Sequence, residues 1–324
     1  MLLIELTLPS GLRRVSNEPL ALEHFWEPNV ASCGPVKLAA DSSYGGYVRP
    51  QYGKIELTPD AFTGAGDWPP PVSMPIALFL TDTDEVGRQK IMHGTAHRES
   101  VLRDSFIYDL YAPDYSGRFT DHVYDNTVTG LFINNIANAD AFLTADTSMA
   151  DANNAPHIDY TDKGDQVVID SLSKACACAG HLFYIKNSVA YLVDMLTNNG
   201  SREITEFDFF PSDYRDDVPY ATFRSGDISV DGTYAYGKDM SVSPVFSADN
   251  NEINKGLLRI KQIMEAPRVT LKMPITVNVP KFGERLSWVD ASRGQDITAW
   301  IRVRAISFDF DNDQIVVEGE GGIS

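Results

Sequence analysis

Residues 3–8, Leu-Ile-Glu-Leu-Thr-Leu, alternate roughly between apolar and polar side chains and run into Pro9-Ser10-Gly11. Successive side chains of a strand point to opposite faces, so this pattern predicts a half-buried strand and then a turn. Period-two or short apolar runs predict further strands at Val36–Ala39, Gly53–Pro59, Ile76–Leu80, Lys90–Met92 and Phe106–Tyr111. Tyr44-Gly45-Gly46-Tyr47 predicts a bend. Thr63 to Pro75 holds Gly64, Gly66, Pro69, Pro70, Pro71 and Pro75. Proline removes a ladder donor and fixes φ, so a loop is expected there.

Residues 111–160 are less periodic. Asp114 to Asp125 reads as an irregular excursion, Val128 to Ala137 as a strand or short helix, and Thr144 to Pro156 as a surface loop with one helical turn. Residues 165–179 carry a helical period instead: Val168, Leu172, Ala175 and Ala179 fall on one face. Asp162 or Asp165 is placed to cap the start, and Gly180 to take the left-handed position after the end. His181–Ile185 and Val189–Met195 then form a hairpin through Asn187-Ser188. The narrow small-residue face suits close packing of this helix on a sheet.

In the last third, Phe210-Pro211 reads as a strand end and Tyr214 to Pro219 as a connector. Short strands are expected around Gly226, Asp231-Gly232 and Gly237. Asp249 to Lys255 reads as exposed and polar, and Leu257 to Met264 as strand or helix. Strands follow at Val269–Val279 (Pro274 at an edge), Leu286–Val289 and Ala299–Ile306, then a hairpin about Asp311-Asn312-Asp313. The predicted class is mainly β with minor α (α+β): tandem β-barrel or β-sandwich domains with one helix on a sheet. A length of 324 residues exceeds one ordinary core. The expected division is 1–112, 113–220 and 221–324, the last joining the N-terminal part in an alternative composite fold.

Composition narrows the function. With 43% hydrophobic and 22% charged residues the chain is foldable rather than disordered. Its formal charge is −18, and 27 basic residues are scattered among 45 acidic ones with no basic run. Stable nucleic-acid binding needs clustered Lys and Arg, so none is expected. The apolar start of MLLIELTLPSGLRRV is too short for a signal peptide, and no stretch is long enough to span a membrane.

Each candidate for chemistry has a plainer reading. His93 and His97, with Glu99 nearby, have zinc-like spacing for a helix, but Gly94 intervenes and the flanks read as strand. Asp309, Asp311, Asp313 and Glu320 match calcium-loop spacing, but Gln314 stands where the sharp turn needs glycine. Asp82/Asp84 and Asp216/Asp217 are acidic pairs of the kind found in solvated turns. Cys176 and Cys178, two apart on the helix, point in different directions; with Cys33 they make no disulfide framework. Trp68-Pro69-Pro70-Pro71 reads as a loop anchor or a subunit contact, with a sugar or peptide site as the alternative. No G-x-S-x-G, P-loop or G-x-G-x-x-G motif is present. No catalytic, cofactor-binding or metal-binding residue is assigned, and no cofactor is expected.

Several of these stretches together resemble phage tail-tip proteins, the group of baseplate hub and distal tail subunits. They are Tyr44-Gly45-Gly46-Tyr47 with Gly53–Leu57, Lys90–Thr95 through Tyr108-Asp109-Leu110, the helix 165–179 with its hairpin, and Arg302 to Gly319. The resemblance implies a tail-tube-like barrel or sandwich flanked by a helix. It implies self-association into a ring, a homotrimer for a hub and a homohexamer for a distal tail protein. Neighbours would be tail tube, distal tail, tape-measure and fibre proteins, around a channel that DNA only transits. The place implied is the virion tail tip, after synthesis in the host bacterial cytoplasm. Iron–sulfur binding found in some tail-tip proteins is not carried over, because three cysteines lack a four-ligand arrangement. The alternative from a different class is a carbohydrate-binding or wall-degrading β-protein.

Overall fold

The computed structural model describes residues 1–18, 20–21, 25–81, 87–111, 127–128, 144–150, 156, 160–161, 168–186, 189–205, 210–215, 219–242, 249–276, 278–290 and 297–323. The chain is mainly β with minor α, and its large sheets curl into half-barrels, as the patterning predicts. Leu2–Leu8 forms because its inward residues, Leu2, Ile4, Leu6 and Leu8, have a shared core to enter. It pairs antiparallel with Gly11–Ser16 across the Pro9-Ser10 turn and with Ser73–Leu80 on its other side. Gln89–Val101, Phe106–Tyr111, Lys54–Leu57 and Val30–Cys33 complete this seven-stranded antiparallel sheet.

The second sheet has eleven strands. Its main path runs Thr144–Met149, Val189–Asp194, His181–Lys186, Gly45–Tyr52, Val36–Ser42, Ile297–Asp309, Gln314–Ile323, Arg268–Pro274, Phe210–Arg215. Arg285–Asp290 also pairs with the long strand Ile297–Asp309, and carries Ser201–Glu203 in parallel. Strands from the beginning, middle and end of the chain thus lie side by side. The two sheets share one core, with Ile4, Ile76, Leu78 and Tyr108 from the first and Val36, Ile301, Val303, Phe308 and Val317 from the second.

Behind the second sheet lie the two α-helices of the described residues, α1 (Val168–Cys178) and α2 (Asn250–Glu265). Beyond them lies a small sheet of Tyr220–Ser225, Ile228–Asp231 and Lys238–Ser241. Their common core holds Tyr47, Phe183, Leu192, Phe223, Leu257 and Ile260. Gly180 follows α1 at φ +68°, the left-handed position expected of it, and a Cβ there would meet Ile263 of α2 at 2.8 Å. Cys176 and Cys178 are both buried in this core. The sheet and α2 enclose α1 from two sides, so more than one stripe of it is covered.

Two buried ion pairs tie these layers together. Arg259 of α2 donates through Nε to the carbonyl of Ala179 at 2.9 Å and pairs with the Asp194 carboxylate. Asp194 also accepts from the backbone N–H of Leu196 at 3.1 Å and from the Thr197 hydroxyl. Glu320, in the last strand, pairs with Arg302 and Arg304 of the neighbouring strand. The ladder slips between Val303 and Ala305, and Arg304 is buried towards α2, where its Nη1 donates to the Ile263 carbonyl at 3.2 Å. Burial, and then the charges of Arg268 and Arg302, hold Arg304 well below the ordinary arginine range.

Several local expectations change. The stretch expected as exposed and polar opens α2 (Asn250–Glu265), and Leu257–Met264 takes the helical of its two readings: Asp249 accepts from the Asn251 N–H at 2.8 Å and caps the helix. Thr144–Met149 is a strand, not a loop; it pairs only with Val189–Asp194, at the end of the sheet, so it needs no apolar alternation. Phe210-Pro211 begins a strand instead of ending one, and Tyr214 belongs to it. That strand ends the sheet, where proline is tolerated. Pro75 sits inside Ser73–Leu80, beyond the last residue paired with Leu2–Leu8. The expectations for Asp114–Asp125, for Asn187-Ser188 and for most of Val128–Ala137 fall outside the described residues.

Buried acids of high pKa make the fold sensitive to alkali. Burial, then the Asp311 charge, pushes the Cys33 thiol from 9.0 to about 12. Burial likewise raises the Tyr108 phenol from 10.0 to about 12. Both groups ionise earlier in the unfolded chain. Their contribution to stability is therefore complete below pH 9 and is lost as pH rises from 9 towards 12. Urea midpoints at pH 7, 9 and 11 are expected to hold and then decline; a midpoint unchanged at pH 11 contradicts this.

Candidate functional site

A cleft of about 480 Å³ lies where the two sheets meet. That is within the roughly 300–1,000 Å³ of ordinary ligand and side-chain pockets. The second sheet supplies an apolar floor from Leu38, Val48, Ile306 and Phe308. The first sheet contributes Ile91, the extra residue of an irregularity between Lys90 and Met92. Segment 278–282 closes one side and brings Lys281 and Phe282.

Strand His181–Lys186 lies between the cleft and the helical core. Phe183 points towards α1 and α2, whereas Tyr184 and Lys186 line the cleft. Tyr184 stacks on Tyr191 at 4.9 Å and leans on Phe282 at 5.0 Å. Burial, then Tyr191 and Asp146, raises its phenol to about 12. Burial and then the charge of Lys281 lower the Lys186 ammonium. No Asp or Glu lies among the described lining residues. In a chain of charge −18, the cleft thus combines an aromatic wall with three lysines, Lys90, Lys186 and Lys281, of which the last two repel each other. Chemically, it is suited to receive an aromatic or apolar group with negative charge beside it.

The candidates from the sequence are not brought together here as a reaction centre. His93 and His97 both lie exposed on strand Gln89–Val101. Four residues along a strand span about 13 Å, too far for two ligands of one ion. His97 stands edge-on to Tyr111 at 5.1 Å, and Glu99 pairs with Lys54. Asp309 closes its hairpin by accepting from the Asn312 N–H at 3.2 Å and Nδ2 at 2.7 Å. Glu320 is occupied by Arg302 and Arg304. Among the described residues no group of three or more His, Cys, Asp or Glu could hold a metal ion. Asp82/Asp84 and Asp216/Asp217 lie outside those residues. Cys176 and Cys178 are buried, and burial pushes the Cys176 thiol up.

The Trp68 loop is pinned to the first sheet. Asp67 accepts from the Ser10 N–H at 3.0 Å and its hydroxyl at 2.5 Å, and the Pro71 carbonyl accepts from the Tyr108 hydroxyl at 3.0 Å. Trp68 itself is 64% exposed, edge-on to Phe106 at 5.8 Å. Of the sequence candidates, His93 lines the cleft. Sequence reasoning missed the cleft because its residues come from six separate segments. A local signal was Lys186, a cation ending an otherwise apolar strand.

No family model matches the chain, and no curated protein does. Solved structures do match. The tail protein from Neisseria meningitidis MC58 superposes with a TM-score of 0.59 at 11% identity, over 98% of this chain and 96% of that one. The 43 kDa tail protein of prophage MuSo2 from Shewanella oneidensis gives 0.58 at 10% identity, over 98% of each chain. Prophage tail protein gp18 from Listeria monocytogenes EGD-e gives 0.51 at 8% identity, over 98% and 94%. Identities this low speak to architecture, and over nearly its whole length the chain has the fold of these tail proteins.

Proposed function

We propose that the chain is a structural subunit of a phage tail tip, a baseplate hub protein that works by assembly and not by catalysis. Its copies close into a ring that continues the tail tube, joins it to the host-binding apparatus and lines the passage for DNA. The observation that carries this reading is the likeness in fold to tail and prophage tail proteins along almost the entire chain. Charge supports it: at −18 per subunit, a ring would be strongly anionic and would not retain phosphate. On this reading the protein is a virion component made in the host bacterial cytoplasm, its partners are other tail proteins, and of the parts 1–112, 113–220 and 221–324 the last joins the N-terminal part in one composite hub fold, since Val36–Ser42 pairs with Ile297–Asp309.

The hub reading takes the ring as threefold; a sixfold ring would make the chain a distal tail protein. Immunogold labelling of purified virions is expected to mark the tail tip, and native mass measurement of the tip to give three copies. Absence of the chain from purified virions overturns the proposal. Hydrolysis of cell-wall polymers by the purified chain would favour the enzymatic alternative.

A further inference from the structure

Tyr236 is fully exposed, which is unusual for so large an aromatic side chain. It stands at the tip of the loop that joins Ile228–Asp231 to Lys238–Ser241, and the loop is held from several sides. Gly232 N–H donates to the Ala221 carbonyl at 2.7 Å, Tyr234 N–H to Tyr220 at 3.1 Å, and Lys238 N–H to Pro219 at 2.9 Å. The Glu265 carboxylate, at the end of α2, accepts from the Thr233 N–H and hydroxyl, each at 2.7 Å. A Cβ on Gly232 or Gly237 would lie 2.0 or 2.5 Å from backbone atoms of Tyr220, so only glycine lets the loop close this tightly. Tyr236 is thus preorganised for a contact, which lowers the ordering cost of binding. Exposed Asp231 and Asp239 flank its loop, against the exposed Lys238.

This aromatic knob with acidic flanks is complementary to the aromatic, lysine-lined cleft. The two lie on opposite sides of the second sheet. The small sheet sits beyond α1 and α2, on the Phe183 face, and the cleft opens on the Tyr184 and Lys186 face. A knob and a hole on opposite faces of one chain cannot satisfy each other, but they can join successive copies head to tail, the kind of contact that closes rings. We infer that the Tyr236 loop of one copy seats in the Lys186–Lys281 cleft of the next. The inference rests on the ring reading and names the surfaces that would build it.

Tyr236→Ala and the double variant Lys186→Glu/Lys281→Glu test it, each in the full chain and each with its thermal melt compared with the native one. Sedimentation is expected to give assembled native chain at low salt, with association weakened about thirtyfold in each variant, the scale of losing an interface hot spot. Lys186→Arg/Lys281→Arg keeps the charge and is expected to assemble. The decisive arm mixes the two defective variants. One retains an intact cleft and the other an intact knob, so an equimolar mixture is expected to form a one-to-one dimer that grows no further. Native chain that stays monomeric at millimolar concentration, a variant that assembles like the native chain, or a mixture that yields no dimer overturns the inference. None of these results bears on whether the chain occurs in virions, so the tail reading stands or falls separately.

Discussion

Replacing Arg259 by alanine is expected to cost about 3–5 kcal/mol of folding stability, the usual penalty for breaking a buried ion pair by removing one partner. The guanidinium is 8% exposed and the Asp194 side chain 1%. Without Arg259, Asp194 keeps only the Leu196 N–H and the Thr197 hydroxyl among its hydrogen bonds, too little for a carboxylate shut away from water. The Ala179 carbonyl, next to the end of α1, loses its Nε donor as well. Since typical stabilities are about 5–15 kcal/mol, the loss is a large share of the whole. Urea unfolding measures it. The paired replacement Arg259→Met/Asp194→Leu removes both charges and is expected to recover most of the loss. A single variant within 1 kcal/mol of native would mean that the pair carries little.

Glu320→Gln is expected to cost a similar amount, about 3–5 kcal/mol, for the opposite charge. One carboxylate faces two guanidinium groups, and Arg304 is 7% exposed. Removing the negative charge leaves Arg302, Arg304 and nearby Arg268 to repel one another in a setting of low permittivity. Glutamine keeps the shape, so the loss reports on charge and not on packing. The same urea titration is expected to show a lower midpoint with an unchanged slope. Arg304→Met in the Glu320→Gln background should restore part of the loss by removing the more buried cation. No recovery would point to packing as the cause.

The alternating segments were the legible part of this fold. Leu3–Leu8 and Ala299–Ile306 read correctly as strands from their alternation, and Ile76–Leu80 as a short apolar run buried on both faces, with Ile76, Leu78 and Leu80 in one core and Ala77 and Phe79 in another. Strand irregularities were not legible. The slip between Val303 and Ala305 leaves no mark in a sequence whose apolar and charged residues simply alternate. The helix α2 was divided in two because its first turn, around Asn251 and Glu252, is polar and its apolar stripe starts only near Leu257. The Asp249 cap was available as a signal and was passed over. Thr144–Met149 looked like a loop because a strand at the end of a sheet need not carry a buried face. The cleft was invisible for a different reason: it depends on which distant strands become neighbours, and that is decided by tertiary packing.

The second sheet interleaves its strands out of chain order. Gln314–Ile323, the final strand, fills an interior position between Ile297–Asp309 and Arg268–Pro274. Its neighbour Ile297–Asp309 in turn holds Val36–Ser42. The margin of Val36–Ser42 that faces away from Gly45–Tyr52 therefore stays unpaired until residues 297–309 are in place, a pairing of very long sequence separation. A polypeptide cut short before residue 297 lacks the middle of its larger sheet and cannot close either flank around the gap. Truncation there thus costs the whole layer and not one strand of it.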